Sequence, residues 1–228
     1  MRLCEVYSGK MQGVAMTVLT DRVEEITGKL DTLQSTVDML QLKVDDLTGD
    51  VIAVGSLGKE IYYVLYSNGN LLVRGTGEMY DYDLDTNLSP LRGNSDIQAV
   101  VIDEGIVSVG DYVFENCKNM KNITLPPSLT SIGQAAFMQG DNYIGEVCGL
   151  TNIAIPSKVT SISGSAFWGT AIESLVILDS VTEIGKYAFR DCTALKKVTI
   201  NGTVIGEFMF VSCTKLSNFT IGSKLKKI

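Results

Sequence analysis

The chain has 228 residues, a hydrophobic content of 45% and a formal net charge of −7. This composition excludes an intrinsically disordered chain, and the length suits one or two folded domains. The acidic balance without a basic patch argues against nucleic-acid binding, and the absence of histidine excludes a Ser/His/Asp or Cys/His catalytic set.

Residues 1–15 are short and mixed in character, and we expect them to be poorly ordered or docked on a partner such as another virion protein. They lack the apolar stretch of a secretory signal, so we expect no signal peptide in this chain. No run of about 18 apolar residues follows, so we also expect no insertion into a membrane.

Residues 16–51 carry apolar side chains in alternating steps of three and four, without a break, over five heptads. A sustained period of about 3.5 residues is typical of a left-handed coiled coil, and we predict an N-terminal α-helical stalk over this range. An amphipathic helix packed on the rest of its own chain is the alternative. The residues predicted to form the oligomer are Leu19, Val23, Ile26, Leu30, Leu33, Val37, Leu40, Val44 and Leu47.

Two oligomers fit this stalk. Valine at the first core position with leucine at the second favours two strands, whereas the absence of a buried polar residue and the largely uncharged flanks favour three. The segment Leu19-Thr-Asp-Arg-Val-Glu-Glu-Ile-Thr-Gly-Lys-Leu30 resembles the threonine- and glycine-punctuated coils of phage tail fibres, which are trimeric. We therefore predict a homotrimer, with a homodimer as the alternative.

A β-hairpin is predicted after a short hinge at Gly55–Gly58. Its strands are residues 61–66 and 71–74, and the Asn-Gly pair between them supplies the positive φ that a tight turn needs. Residues 56–96 are predicted to form a hairpin cap that covers the open apolar end of the repeats that follow.

Two motifs in this cap fail as ligand sites. Gly75 and Gly77 lack the third glycine of a dinucleotide-binding loop and lie in a hairpin context. The alternating aspartates of residues 81–85 begin like a calcium loop, but Thr86 stands where that loop needs glycine. We therefore expect a solvated loop, and no metal or cofactor site.

Residues 97–228 repeat one phrase about five times: a short alternating apolar strand, a turn, a second apolar run and a phenylalanine. The phenylalanines follow one another at intervals of 21 to 30 residues, a period typical of a solenoid. One copy cannot bury its apolar face alone, so we predict stacked short strands with each phenylalanine above the last. A glycine before the phenylalanine is expected to permit a tight turn. The phenylalanines are Phe114, Phe137, Phe167, Phe189 and Phe210, and the glycines are Gly110, Gly133, Gly185 and Gly206.

The segment Ile184-Gly-Lys-Tyr-Ala-Phe-Arg-Asp-Cys-Thr-Ala-Leu-Lys-Lys-Val-Thr-Ile200 resembles the BspA-type leucine-rich repeat, whose phrase is similar to I-G-x-x-A-F-x-x-C-x-x-L-x-x-V-x-I-P. The resemblance covers residues 97–228. It implies a mainly-β leucine-rich-repeat solenoid that serves as a non-catalytic, extracellular binding scaffold, common in bacterial surface proteins. The chain departs from the phrase at Ser163, which replaces the turn glycine, and at an insertion around Met138–Gly149.

Three of the five cysteines, Cys117, Cys192 and Cys213, fall three residues after the phenylalanine of their copy. We interpret this as a repeat position that holds a small buried side chain, and we predict no disulfide framework. No C-x-x-C pair occurs, so a zinc site is not expected either.

A contact patch is predicted away from the strands, because the exposed strand positions are small and mostly polar and offer no aromatic anchor. Trp168, the only tryptophan, follows a core phenylalanine at a position that varies among the copies, which indicates an outward side chain. A tryptophan tucked against the neighbouring insertion is the alternative. The insertion carries Tyr143, and long loops on a rigid scaffold often bind ligands. The predicted patch is Met138, Tyr143 and Trp168.

These features predict a non-enzymatic structural and binding protein whose partners are copies of itself and a glycan or protein of a bacterial surface. The stalk and the missing signal favour a phage tail-fibre or appendage component, located in the virion. The alternative, which the repeat also suits, is an extracellular fragment of a bacterial cell-surface adhesin.

Overall fold

The computed structural model describes residues 49–140, 149–202 and 205–222, and these contain thirteen β-strands and no helix. Within those ranges, accordingly, nothing forms a helix long and apolar enough to span a bilayer. The prediction of a mainly-β repeat fold is confirmed. The strands are β1 Val51–Gly58, β2 Ile61–Tyr66, β3 Asn70–Gly75, β4 Gly77–Glu78, β5 Ala99–Ile102, β6 Ile106–Val109, β7 Asn122–Thr124, β8 Ser131–Ile132, β9 Ser161–Ile162, β10 Ser174–Ile177, β11 Glu183–Ile184, β12 Lys197–Ile200 and β13 Asn218–Ile221.

The first and second strands of the repeats form separate sheets. The first strands lie in a five-stranded sheet of order β1-β2-β3-β5-β7 and a three-stranded sheet of order β10-β12-β13. The division falls at residues 150–155, where a strand was expected and none is assigned. The second strands β6, β8, β9 and β11 lie side by side in chain order, with β4 at the edge. All strand pairs between repeats are parallel, so equivalent side chains lie one above another.

The predicted hairpin forms between β2 and β3, which pair antiparallel from Ile61 opposite Gly75 to Leu65 opposite Leu71. Gly69 in the connecting turn has a φ of 85°, as the Asn-Gly sequence predicts. Strand β3 then pairs in parallel with β5, so the hairpin continues the sheet of the first repeat. Its inward side chains belong to the same hydrophobic core as the repeats.

The chain before the hairpin differs from the expectation. Val51, predicted as the last core position of the coiled coil, is the first residue of β1, and the expected hinge at Gly55–Gly58 is the end of that strand. The strand pairs antiparallel with β2. Gly55 is needed for packing rather than bending, because a Cβ there would lie 2.6 Å from Cε1 of Tyr63. The rest of the predicted stalk lies outside the described residues.

The phenylalanines form the predicted ladder. Phe114, Phe137, Phe167 and Phe189 are fully buried, and their successive ring centroids lie 5.5, 5.2 and 5.0 Å apart with nearly parallel planes. Phe210 continues the stack at 5.9 Å. Offset stacks of this kind add favourable ring contacts to the burial of apolar area. The ladder is therefore the axis along which the repeats pack.

Left-handed residues shape the turn that carries each phenylalanine. Tyr187 and Asp191, two residues to either side of Phe189, have φ values of 62° and 56°. Bulky residues rarely adopt this conformation, because Cβ crowds the backbone. Here it accompanies hydrogen bonds between repeats: the N–H groups of these three residues donate to carbonyl oxygens of the next repeat at 3.1, 3.1 and 2.8 Å. The same conformation recurs at Tyr112, Asn116, Ala135, Ser165, Phe208 and Ser212.

The cysteines also connect repeats. Cys117 and Cys192 are fully buried, Cys213 is half-buried, and all three are free thiols. Each Sγ donates to a carbonyl oxygen of the preceding segment, at 3.1 Å for Cys117 and 3.2 Å for the other two. Burial raises the pKa of Cys117 to about 12, and that of Cys192 is raised for the same reason. These two thiols therefore stay protonated and keep their donor at neutral pH.

Candidate binding surface

Three aromatic side chains outside the core lie together where the turns of successive repeats meet. We call Trp168, Tyr187 and Phe208 the aromatic strip. The ring centroids of Trp168 and Tyr187 are 6.3 Å apart, and those of Tyr187 and Phe208 are 5.6 Å apart and stacked. Phe208 is 51% exposed, and the other two side chains are half-buried. The strip therefore offers ring surface to solvent beside the phenylalanine ladder.

Two cations bridge the rings of the strip. The guanidinium carbon of Arg190 lies 4.6 Å from the ring centroid of Trp168 and 5.2 Å from that of Tyr187. The ammonium nitrogen of Lys186 lies 5.2 Å from Tyr187 and 4.9 Å from Phe208. Cations within about 6 Å of an aromatic centroid are attracted by the ring quadrupole. Each cation therefore ties the rings of two neighbouring repeats together.

Carboxylates balance both cations. The Arg190 Nε lies 3.3 Å from Oδ2 of Asp191, and the same oxygen accepts a hydrogen bond of 2.8 Å from the indole N–H of Trp168. The Lys186 ammonium lies 3.6 Å from Oε1 of Glu207. The strip thus lies beside two ion pairs whose charges balance, although the Nε of Arg190 donates no hydrogen bond.

A cavity of about 570 Å³ lies at the other end of the repeats and is lined by Arg92, Asn116, Lys118 and neighbouring residues. Glu115 is 2% exposed, and its carboxylate contacts the Arg92 Nε and accepts a bond of 3.0 Å from the Asn116 amide. Removing either partner of such a buried pair leaves an uncompensated charge, which destabilises the fold. Arg92 therefore already forms an ion pair with Glu115.

The aspartate run at residues 81–85 forms a self-contained turn. One carboxylate oxygen of Asp83 accepts hydrogen bonds from the N–H groups of Asp85, Thr86 and Asn87 at 2.7–2.9 Å. These bonds, with that of Asn87 the largest contribution, hold the pKa of Asp83 well below its usual range. The Asp83 carboxylate thus holds its own loop together. Among the described residues, no group of three or more His, Cys, Asp and Glu side chains could hold a metal ion.

The BspA type leucine-rich repeat region matches residues 92–144 and 140–228 of this chain, in six copies. The chain belongs to the BspA-type leucine-rich repeat family. This repeat and the mainly-β fold are those of a binding or structural protein. No curated protein matches the chain.

Several solved structures of leucine-rich repeat proteins are similar to this chain at low sequence identity. A leucine-rich repeat protein from Eubacterium ventriosum is 20% identical, with a TM-score of 0.36, over 75% of this chain and 78% of that one. The T. pallidum leucine-rich repeat protein is 19% identical, with a TM-score of 0.48, over 71% and 79%. For a leucine-rich repeat protein from Bacteroides ovatus the identity is 21%, the TM-score 0.46 and the coverage 73% and 53%, so this chain spans about half of it.

The structure describes two of the three residues of the predicted contact patch in this BspA-type chain. Trp168 is half-buried and anchored by its indole N–H, and Met138 is half-buried at the equivalent position of the preceding repeat. Tyr143 lies outside the described residues. Tyr187 and Phe208 were not predicted from the sequence as binding residues. Both stand two residues before the phenylalanine of their repeat, and this shared position could have indicated that they lie close together.

The strand face of the repeats is polar, as the sequence indicates. Most of its outward positions hold small or charged side chains; the exceptions include Val176, which is 49% exposed, and Phe219 of the last described strand, which is 41% exposed. The aromatic strip is therefore the stronger candidate for a binding surface than the strands. The exposed positions include Asn122, Ser174, Lys197 and Asn218 in the strands, and Asn152 in the segment that has no assigned strand.

Proposed function

We propose that this chain is a non-enzymatic protein that attaches, through its repeat region, to the surface of a bacterium. The observation that carries the proposal is the aromatic strip, in which Trp168, Tyr187 and Phe208 lie next to one another on a repeat scaffold. Tryptophan, tyrosine and arginine dominate the energetics of binding surfaces. The strip contains a tryptophan, a tyrosine and a phenylalanine, and Arg190 packs against two of its rings. Membership of the BspA-type family supports a binding role over a catalytic one.

Two settings suit this function. A phage tail-fibre or appendage component in the virion is supported by the heptads of residues 16–51 and by their resemblance to phage stalks. A fragment of a bacterial cell-surface adhesin, located outside the cell, is supported by the repeat, which resembles those of bacterial surface proteins. Tail or baseplate genes beside this reading frame would favour the first setting, and a signal and wall anchor in a longer gene would favour the second.

Attachment is tested at Trp168, which belongs both to the aromatic strip and to the predicted contact patch of Met138, Tyr143 and Trp168. We expect the double variant Tyr143→Ala/Trp168→Ala to lose most of the attachment of the wild-type protein to bacterial cells, because aromatic anchors are replaced by methyl groups. The assay is pull-down of the labelled protein with whole cells of candidate host species.

Tyr62→Ala is the matched control, because Tyr62 is 51% exposed and lies in the hairpin, outside the patch. It should attach like the wild type. All variants are first checked for an unchanged melting temperature. Full attachment by a normally folded double variant would move the binding surface off the patch, and no attachment by the wild type to any host would contradict the function itself.

The predicted homotrimer is a second, separate part of this proposal. We expect light scattering to give three times the chain mass of 24.7 kDa. Leu33→Pro, which places a proline inside the predicted coiled coil, should return the mass to that of one chain, since proline breaks the helix. Twice the chain mass would show the dimer, and an unchanged mass for the variant would show that the heptads do not assemble the protein.

A further inference from the structure

We propose that the cavity lined by Arg92 and Lys118 binds a small organic anion, one that carries a carboxylate or a phosphate group. The cavity has a volume of about 570 Å³, which is in the range of small-molecule sites. No residue of the aromatic strip lines it, so the site is separate from the surface that carries the proposed attachment. The other lining residues are Leu88, Ser89, Gly93, Ser95 and Asn116.

The polar groups of the lining that remain available are mainly donors. Ser89 is engaged, because its Oγ donates to a backbone carbonyl oxygen at 2.7 Å. Asn116 is engaged as well, since its amide donates to Glu115 at 3.0 Å and its Oδ1 accepts a backbone N–H at 2.8 Å. Lys118, by contrast, is exposed and forms no ion pair with any described residue. An anion supplies the acceptors that this lining lacks.

Arg92 is oriented by a buried carboxylate. Glu115 is 2% exposed, and its Oε2 contacts the Nε of Arg92. Within the described part of the chain, the two terminal nitrogens of the guanidinium donate no hydrogen bond. A guanidinium has five N–H donors, and its terminal groups match the paired oxygens of a carboxylate or a phosphate. The ion pair therefore positions Arg92 and leaves most of its donors for a ligand.

The charges of the cavity favour an anion. The Arg92–Glu115 pair is neutral in sum, and Lys118 adds a positive charge that no carboxylate of the described lining residues balances. This local surplus differs from the chain as a whole, whose net charge is −7. Because the whole chain repels anions at long range, selectivity for the ligand must come from contacts inside the cavity.

Hydrogen bonds between two loops hold the walls of the cavity together. The N–H of Gly93 donates to the carbonyl oxygen of Glu115 at 2.9 Å. The side-chain amide of Asn119 donates to the carbonyl oxygen of Ser95 at 2.8 Å. A site that is formed before its ligand arrives loses less conformational entropy on binding.

One wall of the cavity is apolar. Leu88 is 50% exposed and lines the cavity together with the two cations. Apolar walls with a few placed polar groups are the usual composition of a small-molecule site. The carbon skeleton of an organic anion can pack on Leu88 while its charged group meets Arg92 and Lys118. An inorganic ion would use only the cations.

Ligand-observed saturation-transfer NMR tests the site with glucuronate and glucose 6-phosphate, and with glucose as the neutral comparison. Sodium chloride at about 0.15 M screens diffuse attraction, so that the signal reports close contacts. We expect the wild-type protein to transfer saturation to at least one of the two anions and not to glucose. Binding of glucuronate alone identifies a carboxylate site, binding of glucose 6-phosphate alone identifies a phosphate site, and binding of both identifies a site for either group.

The variants are chosen to leave the buried ion pair intact, because loss of Arg92 would leave Glu115 uncompensated. Lys118→Gln should weaken anion binding roughly tenfold, since it removes a charged donor. Lys118→Arg should bind like the wild type. Leu88→Ser should also weaken binding, because the apolar wall is lost. Lys121→Gln is the matched control, as Lys121 is an exposed lysine of the same repeat that does not line the cavity.

Three results would overturn the anion site: no signal from either anion, an equal signal from glucose, or unchanged affinity in a normally folded Lys118→Gln variant. A loss in Lys121→Gln as large as that in Lys118→Gln would also overturn it, since the effect would then be one of general charge. Attachment to bacteria is measured separately. Failure of the wild type to attach, with anion binding intact, would contradict the proposed function and leave the anion site standing.

Discussion

Phe167→Ala is expected to lower the free energy of unfolding by about 3–5 kcal/mol, as is typical when a buried phenylalanine is truncated. Phe167 is fully buried and lies at the middle of the ladder, with ring centroids 5.2 Å from Phe137 and 5.0 Å from Phe189. The substitution therefore removes two stacking contacts and leaves a cavity between two repeats. Urea denaturation followed by circular dichroism measures the loss.

The cavity should also change how the protein unfolds. In a stack where each repeat contacts only its neighbours, a weakened interface separates the repeats before it from those after it. We expect the calorimetric transition of Phe167→Ala to broaden or to divide in two. Phe210→Ala is the control, because Phe210 is half-buried, stacks on Phe189 at 5.9 Å and meets Phe219 only edge-on, at 5.8 Å. A single sharp transition, with a loss no greater than in Phe210→Ala, would contradict the stacked core.

The ladder could be predicted from the sequence because its signal is local and repeated. Each copy contributes one phenylalanine at the same distance after an isoleucine or valine, so stacking of the copies aligns the rings without further information. The hairpin was predictable for a similar reason, since Asn-Gly between two apolar runs is a strong local signal of a hairpin turn. The start of β1 could not be predicted, because Val51 fits the heptad pattern as well as it fits a strand.

The aromatic strip could not be predicted in the same way. Trp168 follows its core phenylalanine, whereas Tyr187 and Phe208 precede theirs, so the strip joins two different repeat positions. Moreover, Tyr187 and Phe208 have φ values of 62° and 54°, which local preference disfavours for aromatic residues. The conformation accompanies hydrogen bonds to neighbouring repeats, so it depends on contacts that a single copy does not contain.

The repeat glycines were predicted correctly as positions where a Cβ would obstruct, but the obstruction differs from the one expected. The conformational freedom of glycine is not used at Gly110, Gly133, Gly185 or Gly206, because none of them has a positive φ. Instead their backbones approach the neighbouring repeat too closely for a side chain. At Gly133, for example, a Cβ would lie 2.6 Å from the backbone nitrogen of Asp111.

Gly185→Ala is therefore expected to lower the free energy of unfolding by about 1–3 kcal/mol, the cost typical of an overpacked interior. A Cβ at Gly185 would lie 2.3 Å from the backbone nitrogen of Gly164 and 2.6 Å from the carbonyl carbon of Ser163. Backbone atoms cannot rotate away as a flexible side chain can, so the two repeats must move apart. Denaturant unfolding measures the effect.

Gly164→Ala is the matched control for this clash, since Gly164 belongs to the neighbouring repeat and also lacks a positive φ. Its added Cβ would meet only the carbonyl oxygen of Lys186, at 3.3 Å, which a shift of a few tenths of an ångström relieves. We expect a change in stability of less than about 1 kcal/mol for this variant. If both alanines cost the same, the close approach at Gly185 is not what requires glycine.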